Sequence, residues 1–328
     1  MSAQIEGAVR REGAGEVRLL AGLVVLLLVG AYLSWTRKDD TLTAEKVNIN
    51  TLAPERVTEL VWSTRTQTVA VSRKKSADGE YVWFDVKSGK TTKAWKGNKA
   101  AATLFEQFAP FVALRSLGTV LDPAQLTETK LERPDSKLIV RTSGEDKVYE
   151  AGGRTFGSRD WYLRAAGGKE VFVVASKVLQ DLDFAESKYM QRDLTTLDKK
   201  DVASVVLKAG PKEQKFLQQN KLSPTDAFWT RAEAPDAKDE SVANYLRKVE
   251  GLKALSYAEP AVVEGATRIL DLTYYEEETP KETLTLYRGG EAGKERYYVV
   301  APVTVVPVEV AKSVAEQLEQ DLAGILNN

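Results

Sequence analysis

The chain has 328 residues, 43% hydrophobic and 28% charged, with a formal net charge of -1. That composition suits one or two folded domains, and a charge near zero supplies no global field to steer the chain onto nucleic acid. There is no Cys and no His, which excludes disulfides, thiolate metal sites, Cys nucleophiles, His-dependent triads and zinc hydrolase sites.

The first element is apolar. Leu19 to Trp35 reads LLAGLVVLLLVGAYLSW, seventeen residues without a charge. At about 1.5 Å per residue it spans roughly 26 Å, close to the core of a bilayer. Tyr32 and Trp35 stand at one end, where amphipathic rings prefer the interface. Arg18 precedes the run, and Arg37 and Lys38 follow it. A buried core helix rarely lacks any polar face. A cleaved signal peptide is the stronger alternative, but the run is long for one and no clear small-residue cleavage site precedes Thr36. The expected organisation is a cytoplasmic tail over 1–18, a transmembrane anchor over 19–36 and a juxtamembrane linker over 37–50. Basic residues are balanced across the span, so orientation rests on the short tail staying inside. The remainder is then expected in the periplasm, on a bacterial inner membrane.

From Thr51 onward an order of elements occurs twice. PERVTELVWS (Pro54 to Ser63) parallels KKDVASVVLK (Lys199 to Lys208), both alternating as half-buried strands do. Each leads to a Trp-bearing strand, with Trp83 in EYVWFDV and Trp229 in DAFWTRAE. An amphipathic helix is expected next. In the first unit its stripe is Leu104, Phe108 and Val112, widened by Phe105 and Phe111; in the second it is Val242, Leu246 and Val249, with Asp239 as N-cap. Strand pairs follow, SKLIVRT with DKVYEAG and RILDLTYYE with ETLTLYRG. Each unit then ends in a strand feeding a helix. EVFVVASKVLQDL from Glu170 matches RYYVVAPVTVVPVEVAKSVAEQL from Arg296, which pairs Val173 with Val299. The final helix is expected to place Val310, Val314, Leu318 and Leu322 on one stripe.

The fold class expected is α+β: an N-terminal transmembrane helix, then two tandem, similar antiparallel-sheet-plus-helix units over 51–194 and 195–328. Short hairpins and helices also resemble one another by chance. The shared order of six elements favours duplication.

The centre of the chain resembles the domain-of-unknown-function 4340 family. The residues that carry the resemblance are KLERPDSKLIVRTSGEDKVYEAGG (Lys130 to Gly153), WYLRAAGGKEVFVVASKVLQDL (Trp161 to Leu182) and YMQRDLTTLDKKDVASVVL after them. It extends from Thr51 to about Leu326. Two places depart from the family pattern: Lys130, where the family often has Gly, and Ala151-Gly152-Gly153, where it often has Ile-Gly-Asp. The resemblance implies a single-pass envelope protein with an extracytoplasmic domain, associated with the permease and auxiliary subunits of a gliding-motility-type ABC transporter. It brings no catalytic residues.

Few stretches suggest chemistry. GKTTK (Gly89 to Lys93) and GGEAGKER (Gly289 to Arg296) contain Gly-Lys. A phosphate loop needs a Gly six positions before that Lys, and those positions hold Phe84 and Arg288. Both stretches therefore read as hairpin turns. The acidic YYEEETPKE (Tyr274 to Glu282) reads as a solvated turn, although paired carboxylates can do acid–base work. In GSRDWYLR (Gly157 to Arg164), strand alternation puts Arg159 and Trp161 on one face and Tyr162 and Arg164 on the other.

The expectation is a non-enzymatic, membrane-anchored accessory subunit of an ABC-type export or envelope complex. It has no catalytic, cofactor or metal residues and no nucleic-acid partner. Its candidate interface residues are Arg159, Trp161, Tyr162, Tyr274 and Tyr275. The alternatives are a carboxylate-based envelope hydrolase and a binding module for an envelope polymer or lipid.

Overall fold

In β2 (Val57–Ser63) the side chains of Leu60 and Trp62 are fully buried, while Thr58 between Val57 and Glu59 faces water. A hairpin joins this strand to the next, and hairpins recur through the chain. The structure is a computed structural model and describes residues 46–77, 79–120 and 122–327. The expected anchor over 19–36, the tail before it and the first part of the linker lie outside the described residues. Among the described residues no helix is long and apolar enough to cross a membrane. Residues Val47–Asn328 form one compact unit.

After the short β1 (Val47–Asn48), the first sheet uses β2, β3 (Gln67–Ser76), β4 (Gly79–Ser88) and β5 (Thr91–Lys96). The short β6 (Val112–Ala113), which pairs with β1, precedes β7 (Arg115–Thr119), β8 (Ser136–Thr142), β9 (Lys147–Arg154), β10 (Trp161–Ala165) and β11 (Glu170–Val174). Nine strands lie in the order β5-β4-β3-β2-β8-β9-β10-β11-β7.

The second sheet uses β12 (Ser204–Ala209), β13 (Lys212–Gln219), β14 (Phe228–Arg231) and β15 (Ala234–Lys238). It continues with β16 (Ser256–Tyr257), β17 (Thr267–Glu276), β18 (Thr279–Gly289), β19 (Arg296–Val300) and β20 (Val308–Val310). Its order, β15-β14-β13-β12-β17-β18-β19-β20-β16, repeats the first strand for strand. All recorded pairings within both sheets are antiparallel. The molecule is mixed α+β with two similar nine-stranded sheets.

Side chains repeat with the strands. Leu60 lies opposite Val71 and Val140, and its counterpart Val205 lies opposite Phe216 and Tyr274. A 3-10 turn precedes each first strand, Pro54–Arg56 and Lys199–Asp201. Trp83 and Trp229 fall on the matching strands β4 and β14. Helix Ser176–Asp183 with Ala185–Tyr189 closes the first half, and helix Lys312–Asn327 closes the second. One buried apolar cluster runs through both halves. In the first half Phe84 is stacked between Trp95 and Tyr189, with centroids 5.6 and 5.8 Å away.

The structure corrects four sequence expectations. The counterpart of β11 is β20, not β19, so Val173 answers to Glu309, and Val299 answers to Leu163. Leu114 donates its N–H to the Val173 carbonyl, as Leu255 does to Glu309, which fixes the equivalence. The apolar run RYYVV had mimicked EVFVV because both are buried inner strands. Second, the first amphipathic helix is a 3-10 helix over Lys99–Gln107, capped by Asn98. Pro110 bars its extension, having no N–H to donate and a ring that clashes with the preceding turn, so Val112 lies on β6, 36% exposed. Third, Val310 belongs to β20; the buried stripe of the last helix is Ala315, Leu318, Leu322 and Ile325. Fourth, Arg159 does not alternate with Trp161 along a strand. It sits in the turn before β10 with φ 59°. The Asp239 cap stands as expected, accepting from the Val242 N–H.

Candidate functional site

The two sheets meet along their edges. Edge strand β5 of the first lies against edge strand β16 of the second. The connecting segment threads between them: Met190 bridges to Gly97 just after β5, and Asp193 bridges to Lys253 just before β16. Gly97 is required there. A Cβ on it would come within 2.6 Å of the Ala101 Cβ and 3.1 Å of the Phe84 ring, closer than the chain tolerates.

A cleft of about 510 Å³ opens at this junction. The first half contributes Trp83, Lys93 and Trp95, and the second contributes Leu255, Tyr257 and Pro260. Trp83 and Tyr257 meet edge to face across it, with ring centroids 6.0 Å apart, the geometry favoured by opposed ring quadrupoles. The Tyr257 hydroxyl donates to the Gln191 carbonyl at 2.9 Å, and burial pushes its pKa up. The Lys74 ammonium lies 4.6 Å from the centre of the Trp83 ring. Lys93 on β5 pairs with Glu186 at 2.8 Å on the rim. Leu255 is 52% exposed beside the cleft. A neighbouring cavity of about 350 Å³ shares Trp95 and Glu186 with it. Trp95 is buried, and its indole N–H has no partner among the described residues. An apolar, aromatic floor with a charged rim is the anatomy of a binding surface.

The residues singled out from the sequence lie elsewhere. Trp161 is 9% exposed, edge to face with Trp62 at 5.5 Å and covered by the Arg154 guanidinium at 3.8 Å. Tyr162 packs against a small satellite core of Val120, Leu131 and Val171. Arg159 is exposed, its carbonyl held by Arg154 at 3.1 Å. Tyr274 is 5% exposed inside the second half, and Tyr275 is half-buried with the Lys215 ammonium 5.9 Å from its ring centre. The first three belong to the first sheet unit and the other two to the second. Trp161 and Tyr274 are core side chains and cannot be surface anchors as they stand. The junction aromatics Trp83 and Tyr257 were missed as a pair. Each was legible as a strand residue, but only the edge-to-edge meeting of β5 and β16 joins them.

Among the described residues, the carboxylates whose pKa moves are all driven down. Lys147 holds Glu145 low, Lys200 holds Asp198 low, and Lys281 holds Glu276 low. The Gly293 N–H leads in holding Glu295 down to about 2. A general acid needs a carboxyl raised towards neutrality.

The turn that carried much of the resemblance has a physical basis. Lys130 takes φ 56°, the left-handed region that favours glycine. Its neighbour Leu131 is fully buried, and Gly153 donates its N–H to the Thr129 carbonyl. A Cβ on Gly152 would come within 2.2 Å of that same oxygen, so the loop and β9 touch backbone to backbone. Residues 114–272, which contain this turn, match the family described as Domain of unknown function (DUF4340). The match is narrower than the extent of 51–326 drawn from the sequence. It starts at Leu114, just before β7, and ends within β17, so the DUF4340 segment takes in parts of both sheets and the connection between them. No curated protein and no solved structure matches the chain.

Proposed function

We propose that this DUF4340 chain is a membrane-anchored, non-enzymatic accessory subunit whose working surface is the cleft between its two sheets. The observation that carries the reading is that cleft: Trp83 and Tyr257 meet across it, and Leu255 stands exposed at its edge. Such aromatic anchors in a partly desolvated pocket are where binding energy concentrates. The apolar run over 19–36 supports a bilayer anchor, with Val47–Asn328 on the periplasmic side of a bacterial inner membrane. The choice of partner, the permease and auxiliary subunits of an ABC-type exporter, rests on the family resemblance alone. Arg159, Tyr162 and Tyr275 remain as secondary contacts outside the cleft.

Two experiments test it. Protease added to spheroplasts should trim the chain from Thr36 onward; full protection would overturn the topology. Full-length chain isolated in mild detergent should bring down a membrane-embedded permease. Recovery of the chain alone, with the permease intact in the same extract, would overturn the partner.

A further inference from the structure

A second cavity, of about 260 Å³, lies within the second half, between the sheet and helix Glu240–Glu250. It does not touch the junction cleft and does not depend on the function proposed above. Its origin is visible in the repeat. In the first half Arg73 on β3 donates to the Val57 and Pro54 carbonyls, each at 3.3 Å, and its guanidinium lies 4.3 Å from the centre of the Phe105 ring. The counterpart on β13 is Gln218. In the orientation that satisfies both amide atoms, it donates to the equivalent carbonyls of Val202 and Lys199 at 3.1 and 3.2 Å. Gln is shorter than Arg, and the counterpart of Phe105 is Leu246. The shorter Gln218 lines the cavity and leaves open part of the space that Arg73 fills in the first half.

The walls of this space are specific. Phe228 and Trp229 on β14 supply half-buried rings. Tyr274, where the first half has Val140, lines the cavity at 5% exposure. Burial pushes the pKa of its hydroxyl up. The charges at the mouth are mostly neutralised. Lys199 pairs with Glu250 at 2.5 Å, and Lys238 pairs with Glu240 at 2.7 Å. Arg247 makes no ion pair among the described residues; it donates only to the Asn244 side chain at 2.8 Å. The uncompensated charge is thus a guanidinium, whose planar fork matches a carboxylate.

We propose that this cavity binds a carboxylate carried on a six-membered ring. The carboxylate pairs with Arg247, the ring lies on Phe228 and Trp229, and a polar ring atom or carboxylate oxygen meets the Tyr274 hydroxyl. The volume is just under the roughly 300–1,000 Å³ usual for small-molecule pockets, so it admits one ring rather than a chain of them. A sugar acid and an aromatic acid share this chemistry.

The test is calorimetric titration of the full-length chain in detergent with glucuronate, benzoate, glucose and inorganic phosphate, followed in parallel by tryptophan fluorescence. Glucuronate or benzoate should saturate at one site, and the tighter of the two identifies a sugar or an aromatic source. Glucose and phosphate should bind about tenfold more weakly or less, since each lacks either the charge or the ring. Arg247→Gln, at an exposed position, should weaken the preferred acid about tenfold or more. Tyr274→Phe should weaken it about fivefold. Ala243→Leu, which fills the cavity from the helix side, should also weaken it, with the thermal midpoint of each variant recorded as the folding control. The proposal is overturned if neither acid saturates the wild type, if phosphate matches them, or if Arg247→Gln binds as well as wild type.

Discussion

Arg73 offers a direct test of whether the two halves are equivalent in energy as well as in outline. Its side chain is 27% exposed, and it makes three kinds of contact. Two backbone carbonyls accept from it, each at 3.3 Å, long enough that each bond stands at the lower end of the usual range. The guanidinium faces the fully buried Phe105 ring. The ion pair with Glu80 at 2.9 Å is partly exposed and contributes little. Arg73→Ala removes all of these and exposes part of the Phe105 face, a loss of about 2–4 kcal/mol. Arg73→Gln installs the residue that the second half already uses. It should keep the carbonyl contacts, as Gln218 does, and lose mainly the cation–π contact, about 1 kcal/mol. Urea unfolding followed by circular dichroism would measure both. Each kcal/mol corresponds to about 2–4 °C in thermal midpoint for domains of this general size. If Gln proves as damaging as Ala, position 73 is not held as position 218 is, and the energetic equivalence of the halves fails.

Three further outcomes are expected. Tyr257→Phe should cost about 1–2 kcal/mol by leaving the Gln191 carbonyl without its donor, and Trp83→Ala with Tyr257→Ala should show a coupling of about 0.5–1.5 kcal/mol in a double-mutant cycle; a coupling of zero would remove the aromatic pair from the account of the junction. Asp239→Ala should destabilise by about 1 kcal/mol or more, since the carboxylate both caps helix Glu240–Glu250 and pairs with Arg231 at 2.8 Å. Glu295 has its pKa lowered from 4.5 to about 2, so its contribution is present above about pH 4.5 and disappears as pH falls towards 2; Glu295→Gln should melt below wild type at pH 7 and with it at pH 2, and a gap that persists unchanged at pH 2 would contradict the assignment.

The period of the strands made much of this fold legible. SKLIVRT and ASVVLK alternate as sheet residues must, and β8 and β12 fall there. Asp239 before an apolar stripe announced a capped helix. Less was visible where the pattern does not alternate. The polar QTVAVSRKKS and KEQKFLQQ form β3 and β13, yet carry charge enough to read as connections. RYYVV and EVFVV look alike because both are inner strands, and only the hydrogen bond from Leu255 to Glu309 shows which one stands beside the edge. The junction was out of reach for a different reason. Trp83 and Tyr257 are far apart in the chain, and nothing local to either marks it as a junction residue. Trp161 and Tyr274 looked like surface anchors because a buried aromatic and an exposed one share the same letter.

The most direct measurement for the junction cleft is site-specific photo-cross-linking in cells, with a photoreactive residue placed at Leu255 beside the cleft or at Leu222, 82% exposed on a turn of the second half. Both positions are open to solvent, so labelling alone does not distinguish them. The account predicts a cross-linked adduct with a membrane permease from position 255, weakened by Trp83→Ala, and none from position 222. Adducts from 222 alone, or from neither position while the permease is present and the protein is folded, would contradict it.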